Sequence, residues 1–225
     1  MARTAAGRVA LDAHLVRGVF HALHRRYGPQ CWWPGESPFE VVVGAVLTQN
    51  TAWTNVERAI DRLKAANLLH PQAILDCPEA VLGERLRPSG YFNVKARRLR
   101  NLCAFWLEAG GEAGLEALPT ATLRTRLLGV NGIGPETADD MLLYAFQRPV
   151  FVVDAYTRRL FQRLHALHGQ ERYEQIRAGF EGVLGPDLRT LNEYHALIVR
   201  HGKTVCRTRP RCFVCCLAAC CPSAG

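Results

Sequence analysis

The sequence has no long apolar run. None approaches the roughly 20 residues that a membrane-spanning helix needs, and the N-terminal stretch MARTAAGRVALDAH lacks the apolar core of a secretory signal. Both absences predict a soluble cytoplasmic protein with no membrane partner. Alternation of apolar and polar residues, the mark of half-buried strands, is scarce, which argues against a β-rich fold. There is no internal repeat and no low-complexity linker, so repeat solenoids and flexible tethers are excluded as well.

What is present is a chain of 225 residues, 48% apolar, enough for a packed core in one large domain or two small ones. Its net charge of +8 and pI near 9.2 suit a polyanionic partner. Nine cysteines could signal an oxidised secreted protein, but six of them crowd between Cys206 and Cys221 while Cys31, Cys77 and Cys103 are scattered. That distribution favours a metal site in a reducing compartment.

Helical periodicity runs through most of the chain and predicts an all-α fold. Residues 9 to 27 place Leu15, Val19 and Leu23 in line. Phe39 to Leu47 is apolar nearly all round; Ser37-Pro38 before it reads as an N-cap with proline at the first helical position, so a buried helix is expected rather than a strand. Further helices are expected over 52 to 66, 71 to 76, 78 to 86, 93 to 108, 112 to 117, 120 to 128, 135 to 146, 155 to 168, 170 to 184 and 187 to 201.

Residues 128 to 154, LGVNGIGPETADDMLLYAFQRPVFVVD, organise the rest. Gly132 and Gly134 are two apart and permit positive φ, and the apolar residues of the hairpin can tuck inward. Upstream, Thr120 reads as the N-cap of a helix with Leu123 and Leu127 on one face; downstream, Pro135 opens a helix with Ala138, Met141, Leu142 and Ala145 in register. A helix-hairpin-helix results, whose backbone N–H groups can hold a phosphate without reading a base. Gly132-Ile133-Gly134 also begins like a dinucleotide-binding loop. No strand precedes it and Thr137 stands in place of the third glycine, so a nucleotide cofactor is not expected.

At the C-terminal end Cys206, Cys212, Cys215 and Cys221 are spaced C-x5-C-x2-C-x5-C, a pattern sufficient for a tetrahedral thiolate site. Spacing alone leaves zinc and iron-sulfur open. Lys203, Arg207, Arg209 and Arg211 lie in or beside the loop such a site would close, suited to phosphate or simply to solvent.

The hairpin, the Gly/Pro link after it, and Asp154, with eighteen residues between it and Pro135, resemble the helix-hairpin-helix DNA glycosylase superfamily, endonuclease III branch. The resemblance implies two helical domains. Residues 30–148 would form a six-helix barrel with the hairpin, and residues 1–29 with 149–225 a discontinuous terminal domain, with a DNA-binding cleft between the two. It also selects a [4Fe-4S] cluster over zinc at the four cysteines. The family's first gap is usually six residues and here is five, so Cys220 could replace Cys221.

Asp154 precedes a helix and is expected as an N-cap. The resemblance adds that it stabilises the positive charge developing at C1′ when a base leaves. Lyase-competent relatives carry a lysine two residues past the second hairpin glycine; here Glu136 stands there, and a carboxylate cannot form an imine. The expectation is a monofunctional enzyme using water, with Glu136 either assisting or merely complementing the helix dipole.

The segment from Leu47 to Trp53 resembles the family's L-x-Q-x-T run, which makes Gln49 the residue that enters the gap left by a flipped nucleotide; an ordinary loop amide is the alternative. Ser89 to Ala96 matches the family's wedge loop, with Tyr91 as the intercalating side chain unless it lies in the core, and Lys95, Arg97, Arg98 and Arg100 along the DNA backbone. Trp32-Trp33-Pro34 together with Trp53 resembles 3-methyladenine glycosylases of endonuclease III type, in which aromatic residues sandwich the flipped base. Such a base is cationic, and aromatic faces attract it. The expected partner is damaged double-stranded DNA, approached by a monomer associated with the nucleoid.

Overall fold

The computed structural model describes residues 7–33 and 35–224; Pro34 of the Trp-Trp-Pro run lies outside them. In chain order the helices are α1 (Ala13–Tyr27), α2 (Pro38–Leu47), α3 (Trp53–Ala65), α4 (Pro71–Asp76), α5 (Glu79–Leu86) and α6 (Phe92–Glu108). They continue with α7 (Gly111–Glu116), α8 (Thr120–Leu128), α9 (Pro135–Asp140), α10 (Ala155–Arg163), α11 (Tyr173–Leu184) and α12 (Leu188–Thr204). Among the described residues there is no strand, and no helix is long and apolar enough to cross a membrane.

Contacts gather the chain into two compact units, Met1–Trp32 with Pro149–Gly225, and Trp33–Arg148. In the second of these, α2 is the central helix and is buried from Phe39 to Leu47. Ser37 caps it by accepting from the N–H of Glu40 at 3.2 Å, with Pro38 at its first position, so a short apolar run becomes a helix by its cap. Helices α4 and α5 pack on α6, and α3 packs on α2 and α5. In the other unit α12 is central and packs on α1 and α10, while α1 also meets α11. Its core stacks Phe151 on Phe180 at 4.2 Å, with Tyr194 donating to the carbonyl of Val16 at 2.7 Å.

The helices expected over 155 to 168 and 170 to 184 shorten to Ala155–Arg163 and Tyr173–Leu184, and three further expectations change. The first helix begins at Ala13 rather than near residue 9, because Asp12 caps it through the N–H groups of His14 and Leu15. Thr120 is not an N-cap: Pro119 holds that position and Thr120 is the first helical residue. The helix from Pro135 is regular only to Asp140; Met141–Ala145 widen into a π-turn, with Phe146 N–H donating to Met141 O at 3.1 Å. One extra residue per turn re-aims Tyr144 relative to a straight α-helix.

Candidate active site

The hairpin between α8 and α9 is built on one left-handed residue. Gly132 has φ +99°, and the stem of Arg98 fills the space a Cβ there would need. Gly134 is extended at φ −92° and serves as the N-cap of α9, so only the first of the two glycines uses its special freedom. Val130 and Ile133 are buried as expected. Glu136 is exposed in the first turn of α9.

Side chains from elsewhere brace this turn. Gln49 donates from Nε2 to Gly132 O at 3.2 Å and to Thr137 Oγ1 at 2.9 Å, while its Oε1 accepts from Arg98. The amide expected to probe a nucleotide gap is therefore engaged at both ends, with the hairpin and the start of α9 through Nε2 and with Arg98 of α6 through Oε1. Asn101 donates to Asn131 O at 3.1 Å. Beneath α9, Asp139 is fully buried and takes two bonds from Arg124, at 2.6 and 3.0 Å, which tie the helices on either side of the hairpin together.

The wedge loop separates into one exposed and one buried residue. Tyr91 is 73% exposed, not a core residue, and sits at φ +45° where only the fold around it sustains an aromatic side chain. Lys95, four residues on, is 1% exposed. Its ammonium donates to Leu47 O at 2.8 Å and Ser89 O at 2.6 Å, so it does not line a DNA track: this corrects the sequence reading. Burial, helped by the Arg98 charge, pushes its pKa down to about 8. Arg100 is likewise turned onto carbonyls, of Ile74 and Cys77. Arg97, Arg98, Asn101 and Asn131 still line an open cavity of about 600 Å³ beside the hairpin.

Trp33 and Trp53 meet edge to face, ring centres 5.0 Å apart at 85°, and Tyr144 from the π-turn tilts onto Trp33 at 4.9 Å. Gly44 of α2 lies against both indoles; a Cβ there would meet Trp33 at 3.5 Å and Trp53 at 3.6 Å, ordinary packing contact. Trp53 donates from Nε1 to Glu57 at 2.8 Å. With these two rings in contact there is no slot between Trp33 and Trp53 themselves. Trp32 belongs to the other unit, where the Lys203 ammonium lies 5.4 Å over its ring.

Asp154 caps α10: its Oδ1 accepts from Thr157 N–H at 2.7 Å. Its other oxygen lies 3.7 Å from His195 Nε2 on α12, and both residues are buried. Burial alone would raise the carboxyl's pKa; the imidazole and the bonds from Thr157 outweigh it and hold it below the usual value. Burial lowers the pKa of Lys203, against the pull of Asp154.

Cys206, Cys212, Cys215 and Cys221 all wall one small cavity, lined otherwise by residues such as Leu160, Val205 and Leu217. Cys220 turns its thiol to Leu217 O at 3.3 Å instead. Arg163 donates to Cys206 Sγ at 3.2 Å and to the carbonyls of Arg207 and Thr208, and His201 approaches Cys215 Sγ at 3.6 Å. Among the described residues no three His, Cys, Asp or Glu side chains close on a point where a single metal ion would sit. Arg159, Lys203, Arg207, Arg209 and Arg211 line a neighbouring cavity of about 680 Å³.

A family model described as HhH-GPD superfamily base excision DNA repair protein matches residues 43–186, from α2 through α11. The chain belongs to that superfamily. A Methanocaldococcus jannaschii protein provisionally named a DNA repair glycosylase is 47% identical over 204 residues, covering 89% of this chain and 93% of the relative. A non-covalent endonuclease III–DNA complex shares the fold at TM-score 0.82 and 22% identity, over 95% of this chain and 97% of that one. The H. pylori 3-methyladenine DNA glycosylase bound to 1,N6-ethenoadenine matches at TM-score 0.74 and 29% identity, over 86% and 98%. The family and the all-helical fold expected from the hairpin and Asp154 are those found.

Within this HhH-GPD chain the sequence reading passed over Arg124, Tyr144, Arg163 and His195. Arg163 carried one signal, lying about two and a half turns along the helix that Asp154 caps. The others meet their partners across helix packings, and no local spacing announces them.

Proposed function

We propose that the chain is a monofunctional DNA glycosylase that flips damaged bases from duplex DNA and hydrolyses their N-glycosidic bonds, with alkylated purines such as 3-methyladenine as substrates. The observation that carries the reading is the buried carboxylate of Asp154, held below its usual pKa with one oxygen left after capping α10. A charged group already in place opposes the positive charge that grows at C1′ as the base departs. Glu136, where lyases keep an amine, supports water as the nucleophile.

An N3- or N7-alkylated purine carries its own positive charge, which weakens the glycosidic bond and draws the base to an aromatic face. The Trp33, Trp53 and Tyr144 platform offers such a face, and exposed Tyr91 fits the wedge role. In this reading residues 30–148 are the barrel domain and 1–29 with 149–225 the terminal domain. The cavity walled by Cys206, Cys212, Cys215 and Cys221 fits a [4Fe-4S] cluster held by four thiolates, with Cys221 favoured over Cys220. Bound there, the cluster would supply a rigid anchor for the loop bearing Arg207, Arg209 and Arg211.

One observation favours a second reading. The Lys203 ammonium over Trp32 already places a positive charge on that ring. A neutral lesion, such as an oxidised pyrimidine, avoids the like-charge encounter that a cationic purine would meet on the same face.

Base release from duplexes carrying 3-methyladenine, 7-methylguanine, thymine glycol or uracil, analysed before and after alkali, tests both. Free methylated purine, with strand breaks only after alkali, is the expected result, and Asp154→Asn should abolish release while duplex affinity stays within about threefold, since asparagine still caps α10. Release of a pyrimidine alone supports the second reading. Breaks before alkali refute the assignment of water as nucleophile.

A further inference from the structure

Asp154 divides its two oxygens between two tasks. Oδ1 takes the Thr157 N–H at 2.7 Å and holds the start of α10. Oδ2 is the oxygen available for chemistry, and the side chain that approaches it is His195 on α12, Nε2 at 3.7 Å. The pair spans the contact between α10 and α12, and only 5% of the imidazole and 11% of the carboxylate side chain reach solvent.

We propose that His195 is a positioning residue for Asp154, fixing the direction and the negative charge of Oδ2 for base release. The proposal rests on the reading of Asp154 as the catalytic carboxylate. A buried carboxylate has no water shell to keep it charged, so the charge must be held by neighbours. The groups acting on Asp154 are His195 and Lys203 from α12 and Thr157 and Tyr156 from α10. Thr157 serves the cap, and Tyr156 brings no positive charge. Lys203 also lies over Trp32 and lines the open basic cavity, so its attraction is shared with solvent. That leaves the imidazole as the positively polarisable neighbour that faces Oδ2, at 3.7 Å. Removing it should make Asp154 easier to protonate, and release should then fail at a higher pH than in the wild type.

The experiment is the pH profile of single-turnover base release for the full chain, wild type against His195→Leu and His195→Gln, with urea unfolding of each. Leucine removes the polar contact at similar bulk, and glutamine restores an N–H donor. The expected result is an acid limb displaced upward in His195→Leu, with release falling about tenfold below it for each pH unit descended. Rates should converge on the wild type above the limb, and His195→Gln should lie between. A residue that only fills the core would lower unfolding stability and leave the limb in place. An unmoved limb in folded His195→Leu overturns the proposal; if that variant does not fold, His195→Ala is read in its place and an unmoved limb there does so. Asp154→Asn separates the two claims. If it is inert and the limb is unmoved, the proposal alone fails; if it releases base at the wild-type rate, the catalytic reading of Asp154 fails first.

Discussion

Lys95→Met distinguishes a lysine that holds the protein together from one that holds DNA. Its ammonium joins the carbonyl at the end of α2, Leu47 O, to Ser89 O in the turn before Tyr91. Methionine keeps much of the volume but leaves both buried carbonyls without this donor. Each stranded group costs about 1–3 kcal/mol, offset in part because no ammonium then has to be desolvated, so the net loss should be about 2–4 kcal/mol. For a chain of this length that lowers the thermal midpoint by about 5–15 °C. A pH signature accompanies it. The folded ammonium releases its proton near pH 8 and the unfolded one near about 10.4. Between those values the unfolded chain holds more protons, so wild-type stability should rise with pH across that window, and in Lys95→Met this rise should be absent. The assays are thermal and urea unfolding at several pH values, with duplex binding measured against salt. A variant as stable as wild type within about 0.5 kcal/mol, with its salt slope reduced by about 0.9, would refute the buried role and restore a phosphate contact.

Arg124→Ala removes both bonds that Arg124 gives the fully buried Asp139 carboxylate and should cost up to about 3–5 kcal/mol in urea unfolding, far more than a surface arginine. Tyr91→Gly removes a strained left-handed residue that is mostly exposed, so stability should hold or rise by about 0.5–1 kcal/mol while base release from duplex falls at least tenfold. Cys212→Ala should abolish iron and sulfide incorporation on anaerobic reconstitution, and Cys220→Ala should leave both unchanged; iron retained by Cys212→Ala would overturn the ligand set.

The features legible in the sequence are those that the chain settles within one turn. Ser37-Pro38 turned an apolar run that could have been a strand into α2, and Asp154 was readable as a cap because its partner, Thr157, is three residues away. The four cysteines were readable because a loop of that length brings its own thiols to one cavity. Lys95 was misplaced for a physical reason: a lysine among arginines in a basic helix has the local pattern of a phosphate track, and only packing against α2 and the turn at Ser89 reveals that its charge is consumed inside. The π-turn at Met141 is not legible in the sequence because apolar spacing at i, i+3, i+4 and i+7 is satisfied whether or not one residue bulges.

Gln49 shows where the two kinds of information meet. A resemblance marks it as a side chain that reaches toward DNA, whereas the structure has it accepting from Arg98 and donating to Gly132 O and Thr137 Oγ1. Arg98 in turn fills the space over Gly132, so the residue that lies against the hairpin and the residue assigned to the nucleotide gap share one hydrogen-bonded network. To enter a duplex, Gln49 must exchange these bonds for bonds to DNA, and Arg98 and the hairpin must find new partners as it leaves. On the proposed reading, phosphate binding at the hairpin and filling of the gap would then be coupled steps, because whatever draws Arg98 toward a phosphate weakens the hold on Gln49. Gln49→Ala would break that link, and its effect on base release should be matched, not multiplied, by Arg98→Ala in the double variant.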